Sequence, residues 1–427
     1  MSQNNKELAY NDVLSKLLTW NPENKNKKNI QVTFQVTEDC TLRCTYCYQH
    51  NKSHKVMSID TAKKFIDVMF EQLPDKYYAV IIDLIGGEPL MYPNLLSEIV
   101  DYWDYQCIMH YPDVKWGLYT RFSICSNGTE WDRPDVQNLI NKIGNRLSFT
   151  VSIDGNKELH DSARLLPDGS GSYDKAIHAA TDYEQRYNQV IGSKMTIAPA
   201  NIIFTYPAIK HYLDNGKQTI FANCVYEEGW TNEHATILYE QLKKVADYKI
   251  EHYPDVYLSI FEEDFFMPMD EEDNQNWCGG TGSMLACDPD GILYPCLRYM
   301  PSSVGRDRES SVTCGDLDHG IDFVKLDVMG VVTRRSQSTD ECFYCPIAKG
   351  CSWCSAYNWE SQGSYNKRAT YICPMHKARA LANVYYWNTY YRKYNINKRK
   401  TNYCPKEWAL EIIDEKEYNM LEELSKF

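Results

Sequence analysis

The stretch EDCTLRCTYCYQH, residues 38–50, places the thiols of Cys40, Cys44 and Cys47 close together. It directly follows IQVTFQVT, residues 30–37, whose β-branched and aromatic residues predict a strand. A disulfide uses two thiols and a structural zinc ion usually takes four ligands, so three thiols on one loop match neither. The stretch therefore predicts a ligand-bearing loop after the first strand.

Length and charge limit the classes of protein to consider. The chain has 427 residues and a formal net charge of −13. Because single hydrophobic cores stop growing beyond about 250–300 residues, two folded units are expected. An acidic balance argues against broad binding to nucleic acid or anionic membranes, which requires clustered Lys and Arg. With no secretory signal and no apolar run of about 18 residues, the sequence predicts a cytoplasmic chain without a membrane segment.

The cysteine content indicates metal chemistry. There are 16 cysteines, and the cytoplasm keeps thiols reduced, so a disulfide framework is excluded as their explanation. Metal or iron–sulfur ligation is the leading account of so many thiols.

The fold class follows from an alternation between about residues 28 and 230. Runs with apolar residues at helical spacing separate six strand-like runs: IQVTFQVT, AVIIDLI, RFSIC, LSFTVSI, KMTIAPANI and TIFANCV. Such alternation predicts an α/β fold with a parallel sheet, here a partial (β/α)6 barrel of the TIM type. Functional loops are expected at the carboxyl ends of its strands.

The rest of the chain divides by composition. We predict an N-terminal extension at 1–27, the barrel at 28–230, a helical bridge at 231–276, a small Cys-rich domain at 277–375 and a tail at 376–427. The small domain holds nine of the cysteines and is expected to be stabilised by metal rather than by a large core. In the tail we predict a helix, a KRK loop and a final helix, EWALEIIDEKEYNMLEEL.

Three thiols can bind three irons of a cubane cluster and leave the fourth iron open to a substrate. The spacing CxxxCxxC, with Tyr46 before the last cysteine, resembles that of the radical S-adenosylmethionine (SAM) enzymes. A zinc knuckle completed by His50 or a distant ligand is the alternative.

Further motifs of that family follow in chain order at the predicted strand ends: GGEP at 86–89, SNGT at 126–129, SIDGNKELHDSAR at 152–164 and TIAPANI at 196–202. The resemblance implies that GGEP lines the site of the SAM amino group and that Arg164 pairs with the SAM carboxylate, which suits a guanidinium fork. Taken singly, several of these are ordinary turn residues. The SAM-binding residues implied are Tyr46, Gly86, Gly87, Glu88, Pro89, Ser126, Asn127, Ser152, Asp154, Arg164 and Asn201.

The chemistry implied is reductive cleavage of SAM to methionine and a 5′-deoxyadenosyl radical, which removes hydrogen from an unactivated carbon. The cofactor performs the difficult step, and the protein orients it and excludes water and oxygen. An electron donor such as flavodoxin or ferredoxin is implied as a partner. No general base is identified by the sequence.

The second group of cysteines has the spacings C-x12-G-x4-C and C-x2-C-x5-C-x2-C, with a distant last cysteine. It resembles the SPASM domain, which holds two auxiliary [4Fe–4S] clusters; the usual final spacing is C-x3-C, so the chain departs by one residue at Cys354. The resemblance implies three clusters in all. The distal ligands would be Cys342, Cys345, Cys351 and Cys373, and the proximal ligands Cys278, Cys296 and Cys354, with Cys287 or Cys314 as a fourth.

Three alternatives stay open for this second group. The proximal cluster could have three ligands and an open iron that binds a substrate thiolate, the surplus thiols could be buried and free, or the C-x2-C pairs could bind zinc. For the isolated Cys107, Cys125, Cys224 and Cys404, we expect core packing.

SPASM proteins mostly modify ribosomally made peptides or a sulfatase residue that becomes formylglycine. The chain resembles maturases that install thioether or carbon-centred crosslinks on Cys-rich precursors, among them those acting on CXXX-repeat peptides. The 27 residues before the barrel are too few for an unstapled leader-binding domain, so a separate leader-binding protein or the enzyme's own surface is expected to bind the leader. Alternatives are sulfatase maturation, peptide epimerisation with Cys224 as hydrogen donor, and a non-catalytic zinc scaffold.

Overall fold

The computed structural model describes residues 28–191, 193–226, 229–274, 278–305 and 312–426. The predicted N-terminal extension and Trp277 lie outside these ranges. The predicted division into five segments stays a prediction.

Six strands alternate with helices in the first half of the chain, as the sequence pattern predicts. The strands are β1 (Lys28–Thr37), β2 (Tyr77–Gly86), β3 (Thr120–Ser126), β4 (Leu147–Val151), β5 (Ser193–Ile197) and β6 (Thr219–Cys224). The helices between them are α1 (Ile59–Gln72), α2 (Pro93–Met109), α3 (Pro134–Ile143), α4 (Lys157–Ala163), α5 (Tyr173–Tyr187) and α6 (Thr205–Asp214).

These strands form a parallel, incompletely closed barrel. Strands β1 to β4 pair in order, and β5 pairs with β6, which pairs with the short β7 (Tyr257–Leu258). A parallel bridge between Ser152 and Lys194 joins the two groups. The predicted α/β fold with a partial barrel is thereby confirmed, and all the loops after β1 to β4 lie at one rim.

Alternation within each strand separates the core from the barrel interior. On β2, the side chains of Val80, Ile82 and Leu84 are fully buried beneath the helices, whereas Asp83 and Ile85 point the other way and are partly exposed. The interior of the barrel therefore presents partly accessible side chains rather than a packed core.

The same alternation confirms core packing for one isolated cysteine, Cys224, and corrects that expectation for another, Cys125. Cys224 has the orientation of Ile220 and Ala222 and lies in the hydrophobic core, so it is not at the barrel mouth. Cys125 has the opposite orientation to Phe122 and is partly exposed, so the expectation of core packing is wrong for it. The sequence RFSIC already indicated this, because Cys125 alternates with the apolar residues Phe122 and Ile124 and so lies on the other face of the strand.

The Cys-rich segment continues the barrel sheet. Strand β8 (Met284–Cys287) pairs in parallel with β1, and β9 (Ile292–Tyr294), β10 (Gly315–Asp316) and β11 (Gly320–Ile321) follow in antiparallel order. Because Cys287 pairs with Phe34 near the end of β1, the segment that follows β8 lies beside the thiol loop.

Helices complete the fold. The bridge is α7 (Asn232–His252), which packs against α12 (Cys373–Lys393). The others are α8 (Phe323–Gly330), α9 (Arg334–Gln337), α10 (Asp340–Phe343), α11 (Ser355–Gln362), α13 (Lys406–Ala409) and α14 (Glu415–Ser425). Among the described residues, no helix has the length and apolar character needed to cross a membrane.

Two predicted elements are shorter than expected. The run KMTIAPANI is a strand only to Ile197, because Pro199 starts a 3-10 helix, Pro199–Phe204. The predicted final helix is interrupted between Ala409 and Glu415, where Asp414 accepts the N–H of Glu417 at 2.7 Å and starts a new helix.

Candidate cofactor site

The thiol loop after β1 is held against the end of α4 by its backbone. The N–H of Arg43 donates to the carbonyl of Leu165 at 2.7 Å, and the N–H of Thr45 donates to that of Ala163 at 3.0 Å. Cys40 is buried, and Cys44 and Cys47 are partly exposed. The loop is thus fixed beside Arg164, with two of its thiols accessible.

The GGEP motif at the end of β2 supports this loop directly. The N–H groups of Gly87 and Glu88 donate to the carbonyls of Thr37 and Asp39, at 3.0 and 2.8 Å. A Cβ at Gly87 would lie 2.1 Å from the carbonyl oxygen of Asp39. The glycine is therefore required for close approach of the backbone, here to the thiol loop itself.

Glu88 joins the ends of β2 and β3. Its buried carboxylate accepts hydrogen bonds from Leu90 N–H at 3.1 Å, Ser126 Oγ at 2.8 Å and Asn127 N–H at 2.7 Å. Burial raises the pKa of Glu88 from its ordinary 4.5 to about 7, against the effect of these hydrogen bonds.

This raised pKa predicts a pH-dependent stability. The folded protein binds more protons than the unfolded chain between about pH 4.5 and 7, so the free energy of unfolding should fall by about 3 kcal/mol as pH rises through that window and level off above it. Anaerobic urea unfolding at several pH values measures this slope. Glu88→Gln should reduce the slope of the unfolding free energy against pH, whereas Glu240→Gln, at an exposed position, should leave that slope unchanged. An unchanged slope in Glu88→Gln would contradict the assignment of the pH dependence to Glu88.

The SNGT motif reaches the first thiol. Asn127 Nδ2 donates to Thr41 Oγ1 at 2.9 Å and lies 3.8 Å from Cys40 Sγ, within hydrogen-bonding range for sulfur. Its Oδ1 accepts from the N–H of Thr129 at 3.0 Å. Ser126 and Asn127 are both buried, so the motif holds the thiol loop in place.

Asp154 organises the opposite side of the loop. One carboxylate oxygen accepts hydrogen bonds from Tyr46 OH and, at 2.8 Å, from Arg164 Nε; the other accepts from Thr196 N–H at 3.1 Å. The guanidinium carbon of Arg164 is 5.4 Å from the centre of the Tyr46 ring. Within the described part of the chain, neither Nη of Arg164 donates a hydrogen bond, so both can bind a ligand carboxylate.

Asp154→Asn should destabilise the protein strongly. Asp154 is fully buried and Arg164 nearly so, and removing one partner of a buried ion pair leaves an uncompensated charge that costs about 3–5 kcal/mol. The midpoint of urea unfolding measures the loss. In the matched control Asp174→Asn, which removes the exposed pair with Lys157, the urea midpoint should stay close to that of the wild type; equal effects of the two substitutions would contradict the prediction.

The remaining residues predicted to contact SAM are engaged in contacts within the protein. Ser152 donates its N–H to the carbonyl of Ser126 at 2.9 Å, and its Oγ lies 3.5 Å from Cys125 Sγ. Asn201 is buried and its Oδ1 accepts from Ala198 N–H at 2.7 Å, so its side chain folds back on its own turn. Pro89 starts a buried 3-10 turn.

Four thiols of the Cys-rich segment surround an arginine that the sequence reasoning missed. Arg368 Nη2 donates to Cys351 Sγ at 3.1 Å and to the carbonyl of Cys351 at 2.8 Å. Burial lowers the pKa of Arg368, but four neighbouring thiols raise it above its ordinary value; they are those of Cys351, Cys342, Cys373 and Cys345. No spacing rule marks such a residue, since only the fold brings it to the thiols.

Three other thiols form a separate set. A Cβ at Gly280 would lie 3.0 Å from Cys296 Sγ and 3.5 Å from Cys278 Sγ. After burial, the charges of Cys278 and Cys354 are the main causes that raise the pKa of Cys296. The set therefore contains the three predicted proximal ligands.

Cys287 and Cys314 are placed elsewhere. Both are fully buried in the hydrophobic core around the β8–β10 sheet. The charge of Cys314 is one of the causes, after burial and Asp288, that raise the pKa of Cys287. The structure does not bring either one into the set of Cys278, Cys296 and Cys354.

The thiol sets fit iron–sulfur ligation by their chemistry. Within the described ranges, no group of three or more His, Cys, Asp or Glu side chains is placed to hold a metal ion; in a cubane cluster each thiolate binds a different iron, so the donors are spread around the cluster. The partly buried guanidinium of Arg368 lies beside these thiols and compensates the negative charge that thiolate ligation creates.

Comparison with known proteins agrees with the fold and the motifs. Residues 30–178 match the family of 4Fe-4S single cluster domains. An uncharacterized protein of Methanocaldococcus jannaschii is 27% identical over 61% of this chain and 82% of its own length. The antilisterial bacteriocin subtilosin biosynthesis protein AlbA of Bacillus subtilis is 22% identical over 66% of this chain, and the match spans 58% of that relative.

A third relative is the cysteine-type anaerobic sulfatase-maturating enzyme of Clostridium novyi, 25% identical over 36% of this chain and 40% of its own length. The solved structure of native anSMEcpe with bound AdoMet and Cp18Cys peptide has the same fold, with a TM-score of 0.61, 16% identity and coverage of 86% of this chain and 98% of that one. In fold, in motif order and in these matches the chain is similar to radical SAM enzymes of the SPASM-type maturase group.

Proposed function

We propose that the chain is a peptide maturase that installs a crosslink, a thioether bond, in a ribosomally made precursor peptide containing cysteine. The observation that carries the proposal is the gathering of thiols into three separate sets in one fold, at Cys40, Cys44 and Cys47, at Cys278, Cys296 and Cys354, and at Cys342, Cys345, Cys351 and Cys373. One set suffices for SAM cleavage; two more suit an oxidation that must also remove an electron from the substrate.

The residues of the first set have proposed roles toward SAM and its cluster. Cys40, Cys44 and Cys47 would ligate three irons, Asn127 would donate to the thiolate of Cys40, and the Nη groups of Arg164 would bind the SAM carboxylate. When bound, the cluster and SAM supply the 5′-deoxyadenosyl radical. Asp154 orients Arg164 and Tyr46, and Glu88 fixes the strand ends around the loop.

The barrel interior offers the proposed path for the peptide. The inward side chains of β2 and β3 include Asp83, Ile85, Ser123 and Cys125, all partly exposed. An extended segment could lie along these strands and present a side chain to the thiol loop at the rim. The names of the bacteriocin biosynthesis relative and of the peptide-bound solved structure support a peptide substrate.

Partners and compartment belong to the same proposal. A reductant such as flavodoxin or ferredoxin would supply the electron for SAM cleavage, a separate protein or the enzyme surface would bind the leader, and the reducing cytoplasm would keep the thiols available. The three sets imply three [4Fe–4S] clusters.

Sulfatase maturation is the second candidate, because one relative is a sulfatase-maturating enzyme and the similarity to anSMEcpe extends over most of that chain. That reaction needs a substrate with a C/S-x-P-x-R site and converts one side chain without joining two residues.

Anaerobic co-expression with a short Cys-rich reading frame encoded beside this one tests the proposal by peptide mass. Each crosslink should remove two hydrogens and one alkylatable thiol. Conversion of a C/S-x-P-x-R peptide without a crosslink would favour sulfatase maturation, and a product of unchanged mass would favour epimerisation. Purified protein should hold roughly 8–12 irons per chain. Zinc without iron would contradict the proposal that the protein is an enzyme.

A further inference from the structure

One arginine connects two of the thiol sets. Arg298 lies two residues after Cys296, and its Nη1 donates to the carbonyl of Tyr48 at 3.2 Å and to that of Ser303 at 3.1 Å. Its guanidinium carbon is 5.2 Å from the centre of the Tyr48 ring, and its Nη2 is 3.6 Å from Glu360 Oε2.

Each of these partners belongs to a segment that carries a predicted ligand. Tyr48 directly follows Cys47 in the SAM-cluster loop, and Glu360 lies on α11, which begins directly after Cys354. The Arg298 and Glu360 side chains are only 15% and 16% exposed, so their interaction is little weakened by solvent. One guanidinium therefore joins the SAM-cluster loop to two of the three chain segments of the proximal set, those that bear Cys296 and Cys354.

Neighbouring hydrogen bonds fix the same junction. Asn51 donates its N–H to the carbonyl of Ser302 at 3.2 Å, and its Nδ2 donates to those of Pro301 and Val304 at 3.1 and 2.9 Å. The buried Gln35 Nε2 donates to Ser302 Oγ at 2.7 Å. These contacts hold the backbone around Arg298 independently of its side chain. A substitution of Arg298 should therefore leave the position of this backbone unchanged.

We propose that Arg298 is the positioning residue that couples the SAM-binding centre to the proximal auxiliary centre. It fixes Tyr48, and with it the Cys47 end of the thiol loop, against the chain that bears Cys296 and Cys354. It also places a permanent positive charge beside the centre that is to accept an electron. The inference rests on the proposed crosslinking function.

The step that this coupling serves is balanced in atoms and charge. A carbon radical of the substrate and a substrate thiolate would form the new C–S bond and release one electron, and the proximal cysteines would hold the oxidised iron–sulfur cluster that supplies an acceptor for it. The thiol proton goes to solvent, and the hydrogen atom taken from carbon leaves with 5′-deoxyadenosine. A cation next to the accepting centre stabilises its reduced form.

The test compares Arg298→Met, which removes the charge, with Arg298→Lys, which keeps it but cannot contact Tyr48 and Glu360 together as the guanidinium does. Arg186→Met, at an exposed ion pair on α5, is the matched control. Iron and sulfide content, the thermal midpoint, the reduction potential of each cluster by EPR titration, and the ratio of 5′-deoxyadenosine to crosslinked peptide are measured on the full-length, anaerobically assembled enzyme.

In Arg298→Met we expect the ratio of 5′-deoxyadenosine to crosslink to rise by about tenfold, the effect of losing one charge-assisted hydrogen bond, and the potential of the proximal centre to become more negative. Arg298→Lys should keep the wild-type potential and restore part of the coupling. If Arg298→Met fails to assemble, a wild-type potential with an increased ratio in Arg298→Lys supports the proposal.

The proposal is overturned if Arg298→Met assembles and keeps both the wild-type ratio of 5′-deoxyadenosine to crosslink and the wild-type potential of the proximal centre. If only Arg298→Lys assembles, a wild-type ratio of 5′-deoxyadenosine to crosslink in that variant overturns it. A potential shift of the same size in Arg186→Met would also overturn it. If the wild type forms no crosslink with any peptide, the proposed function fails, and the potential shift alone then decides whether Arg298 acts on the proximal centre.

Discussion

Cys44→Ser is expected to abolish SAM cleavage while leaving the other two thiol sets loaded. The variant removes one of three donors on a loop that hydrogen bonds fix to α4 and to the end of β2, so no other described thiol of that loop can move in to replace it. Anaerobically reconstituted protein should lose roughly four irons and form no 5′-deoxyadenosine above the background of cluster-free protein. Iron analysis and chromatography of the nucleoside products measure both effects.

The matched control is Cys107→Ser. Cys107 is buried on α2, away from the three sets, so the same chemical change should lower stability and leave the iron content and SAM cleavage intact. SAM cleavage that persists in Cys44→Ser would refute the assignment of the loop. Loss of all the iron in Cys44→Ser, with wild-type iron in the control, would refute the independence of the three sets.

Gly87→Ala is expected to be almost as damaging, although it touches no thiol chemically. The new Cβ would lie 2.1 Å from the carbonyl oxygen of Asp39 and 2.9 Å from the Cβ of Cys40. One partner is backbone that also accepts the N–H of Glu88, so the thiol loop must shift as a unit. We expect loss of the iron of the first set, with an overpacking cost of about 1–3 kcal/mol in the free energy of unfolding.

Gly229→Ala is the control, because a Cβ there would meet no heavy atom within 4 Å. Iron content, SAM cleavage and the urea midpoint are compared for the two variants. Wild-type iron content in Gly87→Ala would show that the loop tolerates the displacement and that the glycine is not needed to support it.

Much of the architecture was predictable because it is local. The alternation of strand and helix patterns identified the barrel, and the positions of the motifs after β1 to β4 follow from that alternation, since parallel strands end at one rim. The alternation of apolar residues along β3 and β6 also predicts on which face of each strand Cys125 and Cys224 lie. The expectation of core packing was correct for Cys224 and wrong for Cys125.

The interruption of two elements shows where local patterns are ambiguous. Apolar spacing continues through KMTIAPANI and through EWALEIIDEKEYNMLEEL, but Pro199 and Asp414 stop the regular structure at those points. A proline cannot donate to a sheet, and an aspartate cap stabilises a new helix start.

The sequence by itself determined that three thiols follow the first strand of a parallel barrel and that nine more cysteines follow in a second segment. Only the tertiary structure decided that Gly87 packs on Asp39, that Arg368 lies among four thiols, that Cys287 and Cys314 are buried apart from the proximal set, and that Arg298 joins Tyr48 to Glu360. These contacts depend on the pairing of β8 with β1 and on helix packing across long stretches of chain. Local propensity cannot specify them, because they arise from side chains that meet only when distant segments share one core.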